Sequence, residues 1–180
     1  MDIAIDTISN VVALFFFWLF GNAAYHKITN ISEQHSVLTM YGVILPINIA
    51  TTLLVIIIGI ETTITVTILP ASTRLYGFVL ACMTLVAYTT IIAFQFIFKK
   101  KTHPCGCGST ATVIKVGWYS ILRNIVLVSL CLLSLFNSFS HENVFYGYDY
   151  LLLTVTVTIL VIIFYLSMDK LVSIKQLYHI

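Results

Sequence analysis

Charged positions divide the chain into long apolar runs. No Asp, Glu, Lys or Arg occurs in residues 7–26, 34–60, 75–98, 124–141 or 150–168, runs of 20, 27, 24, 18 and 19 residues. A membrane-spanning helix needs about 20 apolar residues, and a membrane β-strand only about 9–11 of alternating polarity. The runs are too long and too evenly apolar for a barrel. Thr154-Val155-Thr156-Val157-Thr158 does alternate like a strand, but it lies inside the last charge-free run. In lipid a helix is favoured there because it satisfies its own backbone. The pattern predicts an all-α, polytopic membrane bundle of four to five transmembrane helices, over about 8–27, 47–69, 75–98, 117–138 and 150–168. Residues 28–43 mix polar and apolar positions and read as an interfacial helix or a re-entrant turn. Leu45-Pro46 opens the second helix and Leu69-Pro70 closes it.

Composition supports this reading. Of 180 residues 59% are hydrophobic and 9% charged, with a mean hydropathy of +1.02. A soluble domain carries roughly 25% charged residues, so 1–180 reads as one integral-membrane domain in contact with the bilayer. The net charge is +2 and the only basic run is Lys99-Lys100-Lys101, which excludes nucleic-acid binding. Asp2 and Asp6 stand where a secretory leader would be basic, so no cleaved leader is expected. No internal repeat is visible.

The distribution of Lys and Arg sets an expected orientation. With five spans, Lys27, Lys99, Lys100, Lys101, Lys115, Lys170 and Lys175 fall on one side, with Arg123 just inside the fourth helix at the same end; Arg74 alone falls on the other. That predicts an outside N-terminus and a cytoplasmic C-terminus. It also places the polar connection 99–116 at the cytoplasmic face.

That connection carries the most distinctive residues, His103-Pro104-Cys105-Gly106-Cys107-Gly108. Pro and Gly break the helix around the two thiols. A disulfide between Cys105 and Cys107 would close a very small, strained ring, and strain makes a disulfide easier to reduce. The nearby lysines and His103 favour thiolate. A redox pair is the leading reading. Incidental thiols in a flexible loop and a soft-metal site of His103, Cys105 and Cys107 remain as alternatives. A closed zinc site needs four ligands and only three lie together.

Other positions are less specific. Glu61 follows a long uncharged run and should face the bundle interior, with Arg74, Arg123 and Lys27 as candidate partners. Its readings are a structural ion pair or a proton-relay or quinone-site group. Arg123-Asn124 lies about one and a half turns into the fourth helix. There Arg123 either snorkels to the interface or acts as an electrostatic partner of the Cys loop or of Glu61. Lys27 has the same two readings, snorkelling first. Trp118 and Tyr119 read as interface anchors and His26 as interfacial. Cys82 and Cys131 each lie about seven residues from the outer end of their helices, about 10 Å deep. They are possible neighbours, although free Cys is common in cores.

Tyr25-His26-Lys27, Tyr41, Leu45-Pro46, Glu61 and Arg74, then Cys105-Gly106-Cys107-Gly108, Trp118 and Arg123-Asn124, together resemble the methylamine-utilisation MauE family, within the DoxX-like membrane proteins. The resemblance covers about residues 10–135. In one respect the chain departs from the family pattern Cys-x-Cys-Phe-Gly: the Phe is absent and Gly108 follows Cys107 directly. The resemblance implies a bacterial inner-membrane protein acting in maturation, processing or transport of the methylamine dehydrogenase β-subunit or a similar client. It implies Cys105 and Cys107 as redox residues and Arg123, Asn124 and Glu61 as supporting positions. A thioredoxin-like periplasmic protein and a disulfide-containing client are the implied partners. A quinone is a candidate for the second redox partner, with no cofactor marked by any residue.

Three functional expectations follow. The first is a membrane thiol–disulfide oxidoreductase. The second is a non-catalytic scaffold with the Cys loop as a contact or metal clip. The third is a transporter using Glu61 and Arg123, which the lack of inverted repeats weakens. A cytoplasmic Cys pair cannot directly oxidise a periplasmic client. The first expectation therefore needs either a relay through a loop that moves or re-enters, or a segment in 34–73 that does not span.

Overall fold

The computed structural model describes residues 2–31, 47–94, 96–97, 118–140 and 147–178. It contains five long helices: α1 (Asp2–Thr29), α2 (Ile47–Ile68), α3 (Arg74–Phe94), α4 (Trp118–Ser140) and α5 (Gly147–Tyr178). All five are long and apolar enough to cross a membrane. The protein is a multi-pass helical bundle, and residues 47–68 form one span rather than a shorter excursion. Connection 32–46 and the segment 98–117 lie outside the described residues.

The helices outrun the charge-free stretches at both ends of the chain. The first begins at Asp2 and the last continues to Tyr178, through Asp169 and Lys170. A charge ends the apolar run without ending the helix, because backbone hydrogen bonding continues into the interface. At Leu69-Pro70 chain and pattern stop together, since Pro cannot continue a helix.

The Thr alternation that imitates a strand lies inside α5. Thr154, Thr156 and Thr158 return their hydroxyls to the carbonyls of Tyr150, Leu152 and Thr154 at 2.8, 2.8 and 2.7 Å. Thr62, Thr63, Thr65, Thr84, Thr89 and Thr90 do the same one turn back on their own helices. Such back-bonding satisfies a hydroxyl where lipid offers no partner.

The first helix is the hub. It packs on α2, α4 and α5, and α3 bridges α2 and α4. Half of its span is buried, against 11% for the span of α5, which therefore lies at the lipid-facing edge of the bundle. The core is aromatic: Phe15, Phe16 and Phe20 of α1 meet Ile64 and Ile68 of α2, Phe78 and Leu85 of α3 and Leu127 of α4. Phe16 meets Phe78 edge-on at 6.3 Å, and Phe15 meets Tyr165 of α5 at 5.6 Å. Between helices this packing replaces the solvent-driven attraction that lipid does not supply.

The α2–α3 turn fixes one end of the bundle. Thr73 donates its N–H to Pro70 and its hydroxyl to Thr67. Arg74 is buried and donates to the Leu69 carbonyl at 3.2 Å and to Asn10 Oδ1 at 2.7 Å; Asn10 in turn donates to Tyr150 Oη at 3.3 Å. Arg74 thus ties three helices together at this end and is not the partner of Glu61. At Gly77 a Cβ would come within 2.8 Å of the Ile68 backbone, so α2 and α3 meet there without room for any side chain.

Candidate functional site: a charged cavity inside the bundle

Glu61 lies deep in the bundle, about 21 Å along α2 from Ile47 and about 10 Å from Ile68 at 1.5 Å per residue. It is fully buried. An ionised side chain at the centre of a membrane helix costs about 2.5–3.5 kcal/mol on insertion scales, so an acid at this depth requires partners. The chain supplies two. Lys27 Nζ donates to Glu61 Oε1 at 2.6 Å, and Tyr88 Oη donates to the same oxygen at 2.6 Å. The ammonium also lies 5.6 Å from the centre of the Tyr88 ring. Lys27 is therefore turned inward and buried, not snorkelled to the interface. The other carboxylate oxygen, Oε2, is buried and takes no hydrogen bond from a described residue.

A second charged pair lies beside the first. Arg123 of α4 reaches Asp169 of α5 at 3.2 and 3.3 Å through one guanidinium nitrogen. Tyr119 Oη donates to the same carboxylate at 3.1 Å, and the guanidinium lies 5.8 Å from the Tyr165 ring centre. Both side chains of the ion pair are about a tenth exposed. Asn124, one residue on, is also buried.

The two pairs face one cavity of about 50 Å³. Trp18, Asn22, Lys27, Glu61, Tyr88, Arg123, Asn124, Tyr165 and Asp169 line it, with Leu85 and Leu127 closing the apolar side. The lining contains two acids and two bases. An apolar cavity of about 150 Å³ holds a benzene molecule, and a water occupies about 30 Å³. The space fits one or two waters and no aromatic ring. A water there would find donors and acceptors on several sides, Glu61 Oε2 among them.

Sequence position links this cavity to the cysteine segment. Tyr88 lies about 9 Å from the last residue of α3, and Arg123 about 8 Å from the first residue of α4. These are the helix ends that the segment holding Cys105 and Cys107 joins. Cys105, Cys107 and His103 themselves lie outside the described residues. Among the described residues no group of three or more His, Cys, Asp and Glu side chains could hold a metal.

The structure brings Glu61, Arg123 and Asn124 to one cavity. Of the candidate partners for Glu61, Lys27 pairs with it, and Arg123 stands across the cavity paired to Asp169. Sequence reasoning missed Tyr88 and Asp169. Asp169 carried a signal, since it ends the last charge-free run four residues after Tyr165. Tyr88 carried none, being one of ten tyrosines on a chain rich in interfacial aromatics.

Residues 5–137 match the family model described as methylamine utilisation protein MauE. No curated protein and no solved structure matches the chain. The matched span takes in Lys27, Glu61, Tyr88, Cys105, Cys107, Arg123 and Asn124, whereas Asp169 and the rest of α5 lie beyond it. With well over half of its length covered, the chain belongs to the MauE family of membrane proteins linked to methylamine utilisation.

Proposed function

We propose that this protein is a membrane thiol–disulfide redox component serving maturation, processing or transport of an extracytoplasmic client, the methylamine dehydrogenase β-subunit or a similar disulfide-containing protein. One observation carries the reading most strongly: the two helices that bracket Cys105-Gly106-Cys107 contribute Tyr88 and Arg123 to a buried, charge-balanced acid–base cluster, whose other charges come from α1, α2 and α5. Exchange proceeds by attack of one thiolate on a partner disulfide, followed by resolution of the mixed disulfide by the second Cys. The partner then leaves as a dithiol and the Cys105–Cys107 pair as a disulfide. Two electrons pass to the partner. A thioredoxin-like protein is the partner that the family resemblance implies.

The two protons of the Cys105 and Cys107 thiols leave on the new thiols of the partner, so the exchange is proton-neutral overall. Glu61 Oε2 is the group this reading assigns to hold a proton in transit inside the bundle, with Lys27 and Tyr88 holding the carboxylate in place from its other oxygen. Of the two cations lining the cavity, Arg123, held by Asp169 and Tyr119, is the one closer in sequence to the cysteine segment. Its charge supports the thiolate form.

The orientation we infer is that of a bacterial inner-membrane protein with its N-terminus outside and C-terminus inside. Lysines at positions 27, 99–101, 115, 170 and 175 support it. The Cys pair then starts from the cytoplasmic side, and electrons reach an outside client by relay.

The test is replacement of Cys105 and Cys107 by Ser, singly and together, in cells making the client. Loss of correctly paired client disulfides, with mispaired ones accumulating and membrane insertion unchanged, is the expected result. Full client maturation with the double variant overturns the redox reading and leaves a scaffold.

A further inference from the structure

Two cysteines play no part in the site above. Cys82 of α3 and Cys131 of α4 meet inside the bundle, on its best-packed helix pair. Cys131 is fully buried and its thiol donates to the Phe78 carbonyl at 3.3 Å. Phe78 stands one turn before Cys82 on the same helix, so this carbonyl is the one that the Cys82 N–H addresses in an α-helix. The Cys131 thiol therefore sits against the turn of α3 that carries Cys82, and Cys82 packs against the core cluster that contains Cys131. Both are reduced.

Their surroundings select the oxidant. Cys82 is half-buried, and its neighbours Val79, Met83 and Val86 face outward along the span. The couple lies about 12 Å from Arg74 and about 18 Å from Phe94 along α3, within the apolar part of the bundle. Charged, water-soluble disulfides do not enter that layer. A buried thiolate with no cation beside it is costly as well. A quinone dissolved in the lipid meets both conditions, because it enters from the bilayer and takes up protons together with electrons.

We propose that Cys82 and Cys131 form a second thiol–disulfide couple, oxidised from the bilayer by a lipid-soluble quinone. In the balanced step two S–H bonds break and one S–S bond forms. Two electrons and two protons pass to the quinone, which leaves as the hydroquinone. The bond would tie together α3 and α4, the helices that carry Tyr88 and Arg123 and flank the Cys105–Cys107 segment. It would thus set the width of the cavity according to the redox state of the membrane pool.

The test uses the full chain with Cys105→Ser and Cys107→Ser, in lipid vesicles, where only Cys82 and Cys131 remain. Its outcome is independent of the loop pair. A short-chain ubiquinone analogue is added, hydroquinone is followed by absorbance, and thiols are counted by alkylation after unfolding. The expected result is one hydroquinone per chain, loss of both alkylatable thiols and a linked Cys82–Cys131 peptide that dithiothreitol releases. Further replacement of Cys82 or of Cys131 by Ser abolishes quinone reduction, while circular dichroism shows the helices retained. Two free thiols after quinone treatment overturn the proposal. So does oxidation by diamide with none by the quinone.

Discussion

At the scale of single residues, the account turns on how a Lys and a Glu are tolerated far from water. Each is stabilised by the other, so removing one leaves a buried, uncompensated charge, a change that costs about 3–5 kcal/mol in buried pairs. Glu61→Gln and Lys27→Met alone should each lower resistance to unfolding in detergent strongly. The double variant should recover much of the loss, because no lone charge remains. A double-mutant cycle on thermal or SDS-induced unfolding checks this, and additive losses would show that the pair is not coupled. Tyr88→Phe removes a single hydrogen bond to Glu61 Oε1 and should cost about 1 kcal/mol, more if the oxygen stays charged. Glu61 itself was legible in the sequence because a charge in an apolar run is conspicuous. Its partner was not. Lys27 and Arg123 differ little as letters, and only the packing of α1 against α2 decides between them.

At the scale of the helices, charge-free runs reported existence and approximate position, since the length needed to cross a bilayer is a one-dimensional property. Helix ends were less legible. Asp169 and Lys170 interrupt the apolar run of α5 but not its backbone, and the extra turns carry Asp169 into the site. The strand-like Thr154–Thr158 pattern had no consequence for the fold because each hydroxyl is served by the turn below it. Thr156→Val, on the outer face of α5, is therefore expected to change stability by less than about 0.5 kcal/mol. Gly77 is the opposite case. An added methyl meets backbone atoms of α2, which cannot move aside as a side chain can. Gly77→Ala should cost about 1–3 kcal/mol through overpacking. Melting of the two variants side by side checks both expectations, and equal losses would contradict the packing described for the α2–α3 turn.

For the whole molecule, the two ends of the bundle have different chemistry. Arg74, Asn10 and Tyr150 clamp one end through neutral and cationic hydrogen bonds. Toward the other end lie two ion pairs, a small polar cavity and the helix ends that flank the cysteine segment. An assembly built only to hold helices together would not need four charges around a space for water, since apolar packing serves that purpose at lower cost. In a redox role these charges hold a carboxylate oxygen ready for a proton and a cation on a helix that flanks the cysteine segment. The central claim is that Cys105 and Cys107 cycle between dithiol and disulfide during client maturation. The direct measurement is acid quenching of growing cells, followed by alkylation and mass spectrometry of this segment, in the wild type and in each single Cys→Ser variant. The account predicts a mixture of dithiol and disulfide in the wild type, and a trapped mixed disulfide with a partner protein in one of the single variants. Two thiols under every growth condition, with no trapped partner in a chain that inserts normally, would contradict it.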